Sequence, residues 1–277
     1  PINYSVVTNI DNEHLDYYKS YKNLRQSFIK FINKTPPIGK SILCLDDPEI
    51  KKILKKIKIK NYLTYGFTEK ANYKITNIKY GLNTKFDLKV QSLNYDKKII
   101  KNIILNLIGK HNVLNATASI AVCLDLGVKV ETIKKALKNF SGVQRRLTKI
   151  FTKNKKEFYD DYAHHPTEIN SVLDGLKQVY KSRKIISVFQ PHRYSRIKNL
   201  KNEFSSCFLK SNIVVLCPVY SAGEKKDSKY SQSNFAKQIA VNSKVQVIIV
   251  KNELEFQNYL RKNLINDEII IGMGAGS

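Results

Sequence analysis

The second half of the chain alternates short apolar segments with longer amphipathic ones, and this alternation most constrains the fold. The segments typical of strands are 157–161, 185–190, 213–217, 245–250 and 268–272. The segments typical of helices are 166–180, 198–209, 231–241 and 252–263. Strands separated by helices of about 10 to 15 residues predict right-handed crossovers in a mostly parallel, Rossmann-like sheet. Ligands of such sheets bind near the carboxyl ends of the strands.

The first half also alternates at its start and then changes character. The predicted elements are a strand at 4–8, a helix at 21–32, a strand at 41–45 and helices at 112–126 and 131–140. Between them, residues 72–107 form successive β-rich pieces, with turns at Gly81 and 94–98. This pattern predicts a small antiparallel subsheet. The chain is therefore an α/β protein with two predicted domains, 1–140 and 141–277.

The net charge of +25 raises a nucleic acid as a partner, and nucleic-acid binding stays open as an alternative function. The lysines, however, are scattered along the chain, whereas phosphate recognition gathers basic groups on one face. The sequence also has no apolar window of about 18 residues, no secretory signal pattern and no CxxC pair. We therefore expect a cytoplasmic protein without nucleic-acid or membrane partners.

Two predicted strands of the second half end in unusually polar segments. DDYAHH at 160–165 places carboxylates, a phenol and two imidazoles before a helix. PHRYSR at 191–196 carries Arg193 and Arg196 beside His192. The chain has 7 arginines, and four of them lie in two clusters, 145–146 and 193–196. Because a guanidinium binds a carboxylate or phosphate with two parallel hydrogen bonds, the second cluster predicts an anion clamp, with a surface arginine pair as the alternative.

Candidate residues in the first half carry weaker signals. Asn112 is a predicted cap of the long helix, and Asn115 lies one turn further on the same side. Asparagine amides can recognise an adenine edge, but a capping Asn and a tolerated helical Asn explain the pattern equally well. His14 follows a predicted buried strand and has carboxylates nearby. It is either a metal ligand or an ordinary loop histidine.

Six segments in series resemble the Mur ligase family. They are TNIDNEHLDYY at 8–18, GKHNVLNATA at 109–118, GVQRRL at 142–147, DDYAHHPTE at 160–168, FQPHRYSR at 189–196 and VYSAGE at 219–224. Their order follows that of the family over almost the whole chain. PHRYSR is similar to the members that add L-alanine, and the members that recycle a murein tripeptide are the alternative within the family.

The resemblance implies an enzyme of peptidoglycan biosynthesis that uses ATP and Mg²⁺ to join L-alanine to UDP-N-acetylmuramate through an acyl phosphate. It implies His14 as a catalytic Mg²⁺ ligand and His164 and Arg193 as further catalytic residues. The implied L-alanine pocket consists of Tyr162, His164, His192, Arg193 and Arg196, with a ring limiting side-chain size. The implied nucleotide-binding residues are His111, Asn112, Asn115, Arg146 and Asp161.

The sequence departs from the family pattern in three ways. Glu13 stands where the family usually has Asp, and Ser221 where it usually has Pro. No GxxxxGK[ST] phosphate-binding loop occurs in the 277 residues. We therefore expect a fragment: 1–140 would be the later part of a central ATP-binding domain, and 141–277 a slightly truncated amino-acid-binding domain. An inactive relative kept for interaction is a further alternative, and the oligomeric state stays open.

Overall fold

The computed structural model describes residues 3–92, 95–265 and 267–276, without the side chains of 16, 92 and 95–97. The chain divides into two units, 1–141 and 142–277, called unit 1 and unit 2 below. Within the described ranges, no helix is long and apolar enough to cross a membrane.

Unit 1 contains one six-stranded sheet in the order β1-β2-β3-β4-β5-β6. Its strands are β1 Tyr4–Val7, β2 Lys40–Cys44, β3 Tyr62–Gly66, β4 Tyr73–Lys79, β5 Thr84–Ser92 and β6 Tyr95–Leu105. Its helices are α1 Leu15–Tyr18, α2 Tyr21–Asn33, α3 Pro48–Leu54, α4 Lys110–Asp125 and α5 Val130–Asn139. The first four strands are parallel, and β4, β5 and β6 pair antiparallel.

The antiparallel strands of unit 1 continue the parallel sheet and do not form a sheet of their own. The join is short, since β3 and β4 pair only through Tyr65 with Tyr73 and Gly66 with Lys74. The turn predicted at 94–98 is wrong for 95–98, which belong to β6, and 94 lies outside the described residues.

The core of unit 1 lies between the sheet and its helices. Strand side chains such as Ile42, Leu43 and Leu88 are fully buried, as are Ile32 of α2 and Ala121 of α4. Burial of a Leu or Ile side chain contributes about 1.5–3 kcal/mol, so this apolar layer supplies most of the driving force that holds α2 and α4 on the sheet.

Unit 2 contains a second six-stranded sheet in the order β11-β10-β9-β12-β8-β7. Its strands are β7 Thr148–Lys153, β8 Lys156–Asp161, β9 Ile185–Phe189, β10 Ile213–Leu216, β11 Gln246–Ile249 and β12 Ile269–Met273. Its helices are α6 Pro166–Val179, α7 Tyr194–Asn199, α8 Lys201–Ser206, α9 Gln232–Asn242 and α10 Glu253–Asn263. Five strands are parallel and β7 is antiparallel, which confirms the predicted mostly parallel α/β sheet.

The predicted helix 198–209 is two short helices. They meet at Leu200, whose φ of −119° and ψ of 31° lie outside the helical range. α7 begins at Tyr194, immediately after the loop that follows β9. The PHRYSR segment at 191–196 therefore includes the first residues of this helix.

Candidate active site

Three loops of unit 2 lie at the same end of the sheet, because each follows the carboxyl end of a parallel strand. The loop after β8 carries Tyr162 and His164, the loop after β9 carries His192 and Arg193, and the loop after β10 carries Tyr220. β12 lies between β8 and β9 and ends beside them at Met273. This end is where parallel α/β sheets bind ligands.

Four rings form a continuous row across these loops. The Tyr162 and His164 ring centroids are 5.2 Å apart with planes at 84°, and those of His164 and His192 are 5.6 Å apart at 61°. Tyr220 stacks on His192 at 5.6 Å and 22°. Edge-to-face and offset-stacked pairs at such distances are favourable, so the loops support one another through their rings. The row is called the ring row below.

His164 is held in one orientation. Its Nδ1 lies 2.9 Å from the Tyr162 carbonyl oxygen, so Nδ1 carries the proton and donates it. The same nitrogen lies 3.5 Å from Glu168 Oε2, and the side chain is only 13% exposed. In its neutral form, His164 therefore keeps its Nε2 lone pair as an acceptor.

His192 has the opposite tautomer. Arg196 Nη1 lies 3.1 Å from His192 Nδ1, and because a guanidinium only donates, Nδ1 must accept. Burial lowers the pKa of His192, and the positive charge of Arg196 lowers it further. A neutral imidazole beside two guanidiniums leaves their positive charge available to an anion. The structure thus brings Arg196 to the ring row.

Arg193 lies on the same loop but is exposed. Its backbone has a φ of 67° and a ψ of 134°, an unfavourable conformation for a side-chain-bearing residue. Two hydrogen bonds fix it there: Arg193 N donates to Tyr220 O over 2.9 Å, and Tyr220 N donates to Pro191 O over 2.8 Å. The loop after β10 thus determines the direction in which Arg193 leaves the sheet.

Asp161, the last residue of β8, is 3% exposed. Its Oδ1 accepts from Ala163 N over 2.7 Å and its Oδ2 from Leu147 N over 2.6 Å. Burial raises its pKa to about 6, although these backbone hydrogen bonds oppose the rise. In this arrangement the carboxylate holds the 145–147 turn against the end of β8.

The two arginines of the 145–147 turn have different surroundings. Arg145 donates to Gly276 O over 2.9 Å and to Gly274 O over 2.7 Å, so it ties the end of β12 to this loop. Arg146 is exposed, and its Nη1 lies 3.5 Å from Glu168 Oε1. Of the two, only Arg146 presents its guanidinium mainly to solvent.

The nucleotide candidates of unit 1 lie at the start of α4. Gly109 occupies the N-cap with φ 99°, so the prediction that Asn112 caps the helix is wrong. Asn112 lies in the first turn, where its Nδ2 donates to Ile108 O over 2.8 Å. His111 is half-buried beside it, and Asn115 is exposed one turn further along.

His14 is exposed and adopts the left-handed conformation, with φ 58°, directly before α1. Among the described residues, no group of three or more His, Cys, Asp or Glu could hold a metal ion. Mg²⁺ prefers near-octahedral oxygen coordination, so His14 alone does not provide a magnesium site.

The sequence does not predict the contacts that Tyr220, Arg145 and Glu224 make in the structure. Tyr220 and Glu224 lie in the VYSAGE segment, whose residue pattern supports the family resemblance but predicts no specific contact. Tyr220 could have been found by the rule that pointed to His164 and His192, because it too follows a parallel strand. Arg145 is marked in the sequence only by the cluster it forms with Arg146, whereas Glu224, which accepts hydrogen bonds from Ser195, has no comparable signal.

Comparison with family models matches two parts of the chain. Residues 1–123 match the Mur ligase middle domain, and residues 145–276 match the Mur ligase glutamate ligase domain.

Curated relatives support the same grouping. A UDP-N-acetylmuramate–L-alanine ligase from Pelagibacter ubique is 48% identical over 278 residues, covering 100% of this chain and 60% of that protein. One from Ruthia magnifica is 39% identical, covering 98% of this chain and 58% of that protein. The chain thus spans about three fifths of the length of these relatives.

Solved structures with this fold include the UDP-N-acetylmuramate-alanine ligase of Thermotoga maritima, with a TM-score of 0.74 and 24% identity. The matched region comprises 99% of this chain and 56% of that protein. A murein peptide ligase from Psychrobacter arcticus has a TM-score of 0.67 and 19% identity, with 99% of this chain covering 55% of it. At such identities, these likenesses concern the fold alone.

Proposed function

The chain belongs to the Mur ligase family, and from that membership we propose that it is part of an ATP-dependent ligase that joins L-alanine to UDP-N-acetylmuramate. The names of the relatives supply the substrates of this proposal. The observation that carries it for this chain is the ring row with Arg196 at the carboxyl edge of the unit 2 sheet.

The proposed reaction has two steps. ATP first transfers its γ-phosphoryl group to the muramate carboxylate, giving an acyl phosphate and ADP. The L-alanine nitrogen then attacks the acyl carbon, and the resulting tetrahedral intermediate expels phosphate to leave the amide. Both steps depend on positioning more than on covalent participation of the protein.

In the second step, Arg193 and Arg196 would bind the L-alanine carboxylate. The neutral tautomer of His192 that accepts from Arg196 supports this role, because it adds no competing positive charge. Tyr162 and His164 would face the amino end. The Nε2 lone pair of His164 can accept a proton from the ammonium group, which must be neutral to attack.

For the first step, we propose that His111, Asn112 and Asn115 face the adenine and that Arg146 lies near the ribose and phosphates. The buried Asp161 would act by holding the turn that presents Arg146. Magnesium would neutralise phosphate charge, with His14 as one ligand. We propose that these reactions occur in the cytoplasm.

The test is phosphate release by the full-length protein supplied with ATP and UDP-N-acetylmuramate. We expect release that depends on free L-alanine. Phosphate release that depends on a murein tripeptide and not on free L-alanine would favour the recycling ligase. Phosphate release that depends on neither compound would contradict the proposal.

The clamp gives a sharper prediction in the same assay. Arg193→Lys and Arg196→Lys are each expected to raise the KM for L-alanine by about tenfold or more, since an ammonium cannot make two parallel hydrogen bonds. Arg261→Lys is the matched control, because Arg261 is an exposed guanidinium in the last turn of α10. Unchanged L-alanine kinetics in both clamp variants would count against the clamp.

A further inference from the structure

The segment 219–224 is bound to the arginine-bearing loop at two separate places. The first is the backbone pairing of Tyr220 with Pro191 and Arg193. The second is a side-chain contact: Glu224 Oε1 accepts from Ser195 Oγ, and Glu224 Oε2 accepts from Ser195 N over 3.1 Å. Ser195 lies in the first turn of α7, between the two arginines in sequence.

We propose that Glu224 is a positioning residue that fixes the first turn of α7 and thereby the separation and direction of Arg193 and Arg196. This inference rests on the proposed function and deepens it. Glu224 acts through Ser195 and is not itself assigned a contact with substrate.

The need for such a fixing contact follows from the shape of α7. The helix has only six residues, and its N-cap is Arg193, whose own side chain makes no capping hydrogen bond. Short helices are marginal without tertiary contacts, and Arg193 has an unfavourable φ. A carboxylate that binds both donors of Ser195 replaces the missing cap and holds the backbone on either side of it.

The ionic state of Glu224 suits this role. Burial alone would raise its pKa, but the hydrogen bonds from the Ser195 side chain and backbone outweigh burial, so the pKa lies below its ordinary value. The positive charge of Arg193 acts in the same direction. Glu224 is therefore an anion at neutral pH, and hydrogen bonds to an ionised acceptor are the stronger kind.

The experiment measures steady-state kinetics of the full-length protein with Glu224→Ala, Glu224→Gln and Ser195→Ala. We expect Glu224→Ala to raise the KM for L-alanine by about tenfold, with the KM for ATP changed less than about twofold. Glu224→Gln, which keeps one acceptor oxygen, should raise the KM for L-alanine less than Glu224→Ala does. Glu255→Gln is the matched control, because Glu255 is exposed and accepts from Lys251 N at the start of α10.

Two further readouts separate positioning from folding. The double variant of Glu224→Ala with Ser195→Ala should be no worse than the more impaired single variant, because both remove the same contact. Ser195→Ala, which changes only one hydroxyl, carries the test if Glu224→Ala does not fold. A wild-type protein without L-alanine dependence would overturn the proposed function and this inference with it. If the wild type is active and the variants have unchanged KM values, the positioning role alone is overturned. The same holds if the variants raise the KM for L-alanine and the KM for ATP by the same factor.

Discussion

At the scale of single residues, Tyr220 covers one face of the His192 imidazole. The rings stack at 5.6 Å, and the two residues also form a parallel bridge through their backbones. Burial is the main reason why the pKa of His192 lies below its ordinary value. Tyr220 contributes to the burial of His192, so its effect can be measured as a change in the pKa of His192.

We predict that Tyr220→Ala raises the pKa of His192 towards its ordinary value, because removing the ring admits water to the imidazole. Tyr220→Phe should leave that pKa unchanged, since it keeps the ring and removes only the hydroxyl. An NMR titration of the histidine ring protons measures both. Equal pKa values in the wild type and Tyr220→Ala would show that the stack does not exclude water from His192.

The candidate site shows what the sequence could and could not predict at this scale. Tyr162, His164, His192 and Arg196 were predictable as neighbours, because strand ends of a parallel sheet meet at one edge. The sequence could not show that the Asp161 carboxylate is directed at backbone N–H groups of Leu147 and Ala163. That outcome depends on where a separate turn packs, which no local pattern records.

At the scale of elements, a charged cluster centred on Glu157 joins β7, β8 and the segment after α6. Glu157 accepts from Lys149 over 2.7 Å, from Tyr180 over 2.8 Å, from Tyr159 over 3.0 Å and from Arg183. Its side chain is 12% exposed. Burial alone would raise its pKa, but the hydrogen bonds from Lys149 and Arg183 outweigh burial and lower the pKa to about 2.

A lowered carboxyl pKa contributes stability that is present above the unfolded pKa, here 4.5, and is lost as the pH falls towards about 2. We predict that Glu157→Gln destabilises the chain by roughly 3 kcal/mol at neutral pH, and that the difference from wild type shrinks as the pH falls below about 4.5. Denaturant unfolding at several pH values measures this. Glu203→Gln, at an exposed position of α8, is the control, and a pH-independent difference would contradict the prediction.

The predicted elements failed where packing, and not periodicity, decides the structure. β7 was missed because five of its six residues are exposed, so it has no clear apolar face. β3 was also missed, although four of its five residues are buried. The strands from β8 to β12 were predicted correctly, and three of them, β9, β10 and β12, consist largely of buried residues.

At the scale of the whole molecule, β1 is an edge strand. It pairs with β2 and with no other described strand. Val6 on β1 is 41% exposed, and Ile38 in the loop before β2 is 92% exposed. An uncovered edge with apolar side chains favours pairing with another chain.

We predict that the 277-residue chain alone binds a hydrophobic dye and self-associates, and that Val6→Lys reduces the association because a charge on an edge strand opposes strand pairing. Val241→Lys is the control, since Val241 is equally apolar and 73% exposed but lies on helix α9. Sedimentation velocity measures the association. A monomeric wild-type chain without dye binding would contradict the prediction.

The placement of β12 has a consequence for synthesis of the protein. β12 follows the other described strands in the sequence, yet it lies between β8 and β9, which pair with it and not with each other. Until the ribosome has translated residues 269–273, the strand that joins β8 to β9 is missing. The sheet of unit 2 can therefore be completed only after this point of translation. A premature stop codon before residue 269 should therefore yield a chain in which the His164 and His192 rings do not come into contact. We expect chaperones and proteases to bind such an incompletely folded chain.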